Sequence, residues 1–398
     1  MRKKSLVFLA LAAISLSACS YNPFNEFTGI NFNFSISNSL EVNQILDKIV
    51  WERNEECTSY DVYVHPDESS TSSSSKKSEP TVLQTLNRCG FTYDTSLLGK
   101  RIQIVGYKYK KKKKKTTVCK SKIITLPTKA PTFTASSSET LSLEYNNVSN
   151  YSRSGVVTIP ASVTHLELGH FAGSGTILLA FKFDERPSGD VVRISLNNTE
   201  FKSSSSTLPA IDYGGTNKDV TFVFRFEGSN YITGGDSTSY TYSASNAINL
   251  PNVCFYDGNG SLTITGGSSS SFSSKYEDAV AGYAISANKI INCATSDSAY
   301  IKAIGGNGGE GIKYTRGGHG QLPFNKNVKV LTTYSSSIGI KGGNGGKGGL
   351  NAYGGDAYAF SYLTDVAYKK YKPSFYKLDE PTPGEGGTGG GKGKLITK

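Results

Sequence analysis

The segment "GGNGG" begins at Gly305 and again at Gly342, and Gly-Gly pairs recur at 317 and 354, so two separate landmarks repeat at one offset of 37 residues. A constant offset of this size is the signature of stacked structural units. Both blocks also contain the G-x-G-x-x-G pattern of a dinucleotide-binding turn (Gly306, Gly308, Gly311; Gly343, Gly345, Gly348). That turn requires a buried strand before it, an amphipathic helix after it and an acid about 20 residues further on. "AYIKAI" supplies a strand, but "IKYTRGGHGQLPF" and "LNAYGGDAYAF" carry further Gly pairs, the first a proline as well, and neither reads as a helix. A phosphate-cradling P-loop fails too, because Lys347 is followed by Gly348 where a Ser or Thr would hold Mg²⁺. The remaining reading is structural: glycines that allow close backbone approach, in polyglycine-like extended loops packed beside the rest of the fold.

What those loops accompany is legible from residue 132 onward. Short apolar runs ("LLAFKF", "VVRISL", "VTFVFRF", "VCFYDG", "SLTITG", "YAISANKII", "AYIKAI") alternate with polar turns, and no helical period interrupts them. With 24 Tyr, one Met and one Trp, the composition also favours strands over helical bundles. Regular short strands without helices predict coils stacked in a parallel β-solenoid. The wording of successive turns strengthens this. Leu196-Asn197, Pro209-Ala210-Ile211, Glu227-Gly228-Ser229-Asn230, Ala247-Ile248 and Gly258 to Thr265 follow one another in order. Over about 190–293 this resembles the bacterial carbohydrate-binding β-helix family related to pectate lyases, in which such phrases mark successive rungs. The resemblance implies a right-handed parallel β-helix that interacts with polysaccharide. After 293 the sequence departs from that family and the Gly-rich blocks take over.

The N-terminus has a basic start (Arg2, Lys3, Lys4) and an apolar run from Leu6 to Leu16, too short to span a bilayer and laid out as a secretory signal. It ends in Leu16-Ser17-Ala18-Cys19, which resembles the lipobox of bacterial lipoproteins and implies lipidation of Cys19 after cleavage. Two or three acyl chains would anchor the protein stably to a bacterial membrane, outer membrane or cell surface being expected. Removing 1–18 takes away three positive charges and no acid, leaving +8 of the formal +11.

The expected organisation is a signal peptide at 1–18, a tether at 19–40, a β-sandwich at 41–127, a linker at 128–134 and the solenoid at 135–398, with Gly-rich repeats at 305–320 and 342–357. In the sandwich, alternating Ile45, Ile49 and Trp51, then Tyr60, Val62 and Val64, read as strands. Trp51, "YDVYV" and "LLGKRIQIV" resemble a fibronectin type III module, with Leu98 where the family has Pro and its usual Tyr absent. "LPTKAPTF" reads as the linker.

Five cysteines remain after Cys19: Cys57, Cys89, Cys119, Cys254 and Cys293. An exported chain can form disulfides, but five thiols cannot all pair. The expectation is one bridge within the first three, with Cys254–Cys293 as a second candidate.

"YKYKKKKKK" places Lys108, Lys110, Lys111, Lys112, Lys113, Lys114 and Lys115 between two predicted strands. Such a run repels itself and should project from a hairpin tip into water; its functional alternative is a grip on anionic polymer. No motif for specific nucleic-acid reading accompanies it. The solenoid acids Asp184, Glu185, Asp190, Asp212, Asp219, Asp236 and Asp257 form no D-x-D cluster. They read as turn or solvated residues, and Ca²⁺ stays open as a cofactor because adjacent rungs could gather separated acids. His165 and His170, five apart on a strand, would point to opposite faces and could not share a metal, and without a G-x-S-x-G motif no hydrolase triad is supported. The C-terminal aromatics either cap the solenoid or, for Tyr353, Tyr358 and Tyr362, offer flat rings to sugars. The leading function is therefore non-catalytic binding of an extracellular or envelope polysaccharide by a lipid-anchored surface protein. An adhesin that binds host or neighbouring-cell proteins, and a polysaccharide lyase, are the alternatives.

Overall fold

Short runs such as Val191–Asn197 and Ala299–Ile304 alternate apolar and polar side chains, so each can bury one face while the next run stacks on it. In the computed structural model they do so in parallel. The structure describes residues 39–54, 56–66, 79–110, 114–150, 155–171, 177–237, 243–270, 280–294, 298–312, 315–325, 328–332, 338–348, 350–354, 356–359, 375–377, 382–383, 385 and 390–397. The strands Thr140–Glu144, His165–Gly169, Val191–Asn197, Thr221–Thr233 and Asn252–Thr265 lie side by side in parallel register and form the first sheet of a β-solenoid. A second parallel stack contains Val156–Ile159, Ala180–Phe183, Ile211–Tyr213, Ile248–Asn249 and Ile285–Ser286. The phrases Leu196-Asn197, Ala210-Ile211, Glu227 to Asn230 and Ala247-Ile248 fall on successive rungs, as their order in the sequence implies.

Inward positions make columns: Leu166, Ile194, Phe224 and Phe255 in one, Leu168, Leu196 and Phe226 beside it, all essentially sealed from water. From the second stack Phe181 and Phe183 meet Phe201 and Phe222 edge-on, with ring centroids 5.1 and 5.0 Å apart. Each such side chain contributes about 1.5–3 kcal/mol by leaving water. The rung turns a corner along the first sheet, and at four register-aligned positions the corner residue takes a positive φ: His170 (φ 56°), Asn198 (φ 50°), Gly228 (φ 64°), Gly260 (φ 145°). Glycine and asparagine bear that conformation at low cost, which explains Asn198 just after the strand Val191–Asn197 and Gly228 within the strand Thr221–Thr233.

Beyond Ile304 the apolar columns continue through Val330, Ile338 and Ile340 on the parallel strands Lys329–Thr332 and Ile338–Lys341, while beside them the glycine-rich segments stack through backbone in place of side chains. Gly305, Gly308 and Gly311 donate N–H bonds to the carbonyls of Lys341, Asn344 and Lys347, at 2.9, 2.8 and 2.6 Å. Gly345 and Gly348 repeat this to Thr382 and Glu385. A second layer does the same from Gly317 and Gly320 to Tyr353 and Asp356, and from Gly354 and Ala357 to Gly391 and Lys394. The two layers run antiparallel and bond each other, Gly318 to Gly309, Gln321 to Gly306, Gly346 to Gly318 and Gly343 to Gln321. Every third residue bonds the same neighbour, which is the threefold repeat of an extended helix that has no internal hydrogen bonds. In "GGNGGEG" and "GGNGGKG" the two glycine positions face neighbouring backbones, while Asn307, Glu310 and Lys347 face water. A Cβ on Gly343 would fall on the carbonyl oxygen of Gly306, and one on Gly306 on that of Gly267, both far inside the 3.0 Å that real Cβ atoms respect. The expected polyglycine-like loops are thus an ordered lattice.

The segment before the solenoid forms two antiparallel sheets that share a core. One contains Thr81–Leu86, Ser59–His65, Arg101–Lys110 and Lys114–Ser121 in that order; the other contains Val42–Ile45, Lys48–Trp51 and Gly90–Thr92. Trp51 is fully buried and meets Tyr60 edge-on at 5.4 Å. This module docks on the outward face of the solenoid's first sheet. Ile45, Leu46 and Val50 pack with Phe133, Val223, Cys254 and Ile291. Lys48 is buried there, donating to the carbonyls of Tyr256 (2.7 Å) and Cys293 (3.0 Å) and lying 4.2 Å from the Tyr256 ring centre. The linker stretch is held down as well: Phe133 stacks on Tyr256, and Arg193 donates to the Thr132 carbonyl.

Candidate functional site

Because successive residues of a strand point to opposite faces, the columns that fill the core leave alternate columns outside. One outward column is Ser142, Glu167, Ser195 and Arg225; the next is Glu144, Gly169, Asn197 and Glu227. Gly169 leaves a gap in the second column, and the corner at His170 forms one wall. The result is a groove of about 330 Å³ across the first four rungs, lined by these residues and His170. At about 4.8 Å per rung it runs roughly 14 Å along the solenoid axis, and its volume lies within the range of small-molecule sites.

The groove is polar and wet at its lip. Glu167, Arg225 and Glu227 keep roughly half their side chains in water. Ser142 Oγ donates to Glu167 at 2.5 Å, and an Arg225 Nη2 lies 3.6 Å from Glu227 Oε1. Three carboxylates thus face one guanidinium. On the side toward the docked module the groove ends at His165, which is buried beneath the edge of Phe133 with ring centres 5.5 Å apart. Burial, with Arg193 and Arg225 nearby, pushes the His165 pKa down, against a smaller upward pull from Glu167.

His165 Nε2 lies 2.8 Å from Ser195 Oγ. This places a histidine and a serine 30 residues apart in hydrogen-bonding contact, a pairing that sequence spacing hides until the rung length is known. It does not make a nucleophile of Ser195. The neighbouring carboxylate, Glu167, approaches the same Nε2 at 3.7 Å, and the buried Nδ1 has no acceptor to fix the tautomer. Among the described residues no group of three or more His, Cys, Asp or Glu side chains is arranged to hold a metal ion.

The residues singled out in the sequence are placed elsewhere. Glu185 accepts the Thr216 and Asn217 N–H groups, which lowers its pKa; Asp219 accepts from Ser188, Asp236 pairs with Lys202, and Asp212 accepts from Asn249. These acids order turns and ladders and do not meet at one point. The groove acids Glu144 and Glu167 carry no local signal in the sequence, because only register brings them together with Glu227. His170 is not on the strand with His165 but at its corner.

In the lysine run Lys108 and Lys115 are both exposed, but Lys115 is also tethered. It folds back onto the buried Asp61 and lies 3.8 Å from the Tyr107 ring centre. The side chains of Lys110 and Lys114, and Lys111, Lys112 and Lys113 entirely, lie outside the described residues, as do Cys19, Tyr362 and the Tyr358 side chain. Tyr353 is 63 % exposed on the glycine lattice, away from the groove.

No protein-family model matches the chain, and no curated protein matches it. Among solved structures the chain is similar to a pectate lyase from Erwinia chrysanthemi, at 11 % identity over 80 % of each chain with a TM-score of 0.18. It is also similar to that lyase in complex with tetragalacturonic acid, at 12 % identity over 86 % of this chain and 90 % of that one, with a TM-score of 0.19. The solenoid described above rests on the strand register of this chain itself.

Proposed function

We propose that this chain binds a saccharide without transforming it, in the outward groove of the first four rungs. The observation that carries the reading is the open double column of Ser142, Glu167, Ser195, Arg225 and Glu144, Asn197, Glu227, a row of hydroxyl, amide, carboxylate and guanidinium groups on a rigid sheet. Sugars present hydroxyl donors and acceptors at every ring, and a fixed ladder of both kinds suits them. Three carboxylates against one guanidinium repel polyuronates, so neutral or amine-bearing sugars are the expected class. The Ser195–His165 pair lacks an orienting acceptor, which favours binding over hydrolysis.

In this reading Cys19 carries the acyl anchor, 19–40 is the tether, and the antiparallel module, of fibronectin type III kind, braces the solenoid. The hairpin bearing Lys108 would meet anionic surface material. The test is a glycan array with the fragment from Leu40 onward, which forms one compact unit, with and without Ca²⁺. Retention of neutral or amino glycans, lost in Arg225→Ala and altered in Glu167→Gln, supports the proposal. Unsaturated product absorbing in the ultraviolet would replace it with a lyase, and retention only on matrix proteins would replace it with an adhesin.

A further inference from the structure

The five described cysteines are all buried thiols, and four of them meet in pairs. Cys57 Sγ and Cys119 Sγ are 3.5 Å apart, and Cys254 Sγ and Cys293 Sγ are 3.7 Å apart. Each pair depends on a particular feature of the fold. Cys119 lies opposite Gly106, and Cys57 precedes the strand that flanks Gly106 on its other side, so the two sulfurs meet over the middle strand. A Cβ on Gly106 would stand 2.5 Å from one sulfur and 2.6 Å from the other. The missing side chain is the room in which they meet. Cys254 and Cys293 lie on successive rungs, two places apart in register, under the docked module where Lys48 grips the Cys293 carbonyl.

We infer that Cys57–Cys119 and Cys254–Cys293 are the two disulfides of this protein and that Cys89 is its remaining thiol. One bridge fastens the module across its central sheet; the other staples two rungs where the module docks. The chemistry needs a disulfide oxidant such as oxidised glutathione. One cysteine thiolate attacks it, releasing one glutathione thiolate and leaving a mixed disulfide. The partner cysteine thiolate then displaces the second glutathione, so two thiols lose two protons and two electrons per bridge while one oxidant disulfide becomes two thiols. Timing follows from burial. Burial, and then Cys119, pushes the Cys57 pKa up to about 12, and burial with Cys293 raises that of Cys254. Thiolates are therefore scarce once the chain is folded, and the bridges form during folding.

The experiment uses the full chain carrying Cys19→Ser, so that only these five thiols are present. Reduced, denatured protein is refolded in a glutathione redox buffer, then blocked, weighed and mapped by non-reducing proteolysis. The expected result is a mass loss of about 4 Da, since each bridge removes two hydrogens, with peptides joined as Cys57–Cys119 and Cys254–Cys293 and Cys89 alone alkylated after denaturation. The melting temperature should exceed that of the reduced protein by several degrees. Cys89→Ala should leave both bridges in place, while Gly106→Ala should lose the first bridge and keep the second. A bridge to Cys89, a crossed pairing between the groups, or no mass loss after complete refolding would overturn the assignment. Folded reduced protein exposed to the same buffer should oxidise many-fold more slowly. If Gly106→Ala fails to refold, the Cys89→Ala map still decides the pairing.

Discussion

The solenoid holds itself together in two different ways along one axis. From Thr140 to Ile304 its rungs are joined by columns of Leu, Ile and Phe. The columns extend to Val330, Ile338 and Ile340, and beside them the glycine-rich segments between Gly305 and Lys394 are joined by backbone N–H and carbonyl groups at every third residue. The stacking is common to both, but the cohesive force is not. Side-chain columns gain from removing apolar surface from water, which tolerates imperfect fit at a graded cost. A glycine lattice gains from many short-range hydrogen bonds between backbones too close for any Cβ, so a single added carbon meets a rigid neighbour. One half is sensitive to what is removed and the other to what is added.

That contrast can be broken by substitution. Phe224→Ala, in the column beneath Phe255, should cost about 3–5 kcal/mol through a buried cavity, read as an earlier urea transition. Gly343→Ala should cost about 1–3 kcal/mol by overpacking. Its loss of amide-exchange protection should be confined to the glycine segments 305–311, 317–321 and 342–348, with the apolar columns unchanged; uniform loss across both would refute the division. Acid should act on the packed half through His165. Its folded pKa lies below the ordinary 6.5, so the folded state favours the neutral ring. Stability from that site is full above 6.5 and falls as the pH drops below it. Urea midpoints measured from pH 7.5 downward should therefore decline, and His165→Gln should flatten the decline. Last, Glu310→Ala, at the water-facing third position, should change stability by less than about 0.5 kcal/mol. A larger loss there would mean that the third position is not free.

Much of this was legible in the residues. The 37-residue offset of "GGNGG", the refusal of the surrounding segments to read as helix, and the ordered phrases from Leu196 to Thr265 point to stacked parallel strands. Trp51 and its neighbours mark a separate antiparallel module. The groove was not legible. Glu144, Glu167 and Arg225 carry no local motif, and the acids that do stand out, such as Glu185 and Asp219, serve turns. Nor does Lys115 differ from its neighbours in the run until its contact with Asp61 is seen. The corner residues lie between these cases: Asn198 and Gly228 hint at a left-handed turn, whereas His170 gives no such sign.

The sequence alone determined that the backbone would be extended, that it would repeat, and that the glycine blocks would pack as extended, polyglycine-like segments. These are local and periodic properties, set by which side chains can alternate and which positions have none. Only the tertiary structure decided which residues share a column, because each rung spans roughly 30 residues and one step of register moves a side chain from core to solvent. It therefore decided the groove, the His165–Ser195 contact, and the meeting of Cys57 with Cys119 over Gly106.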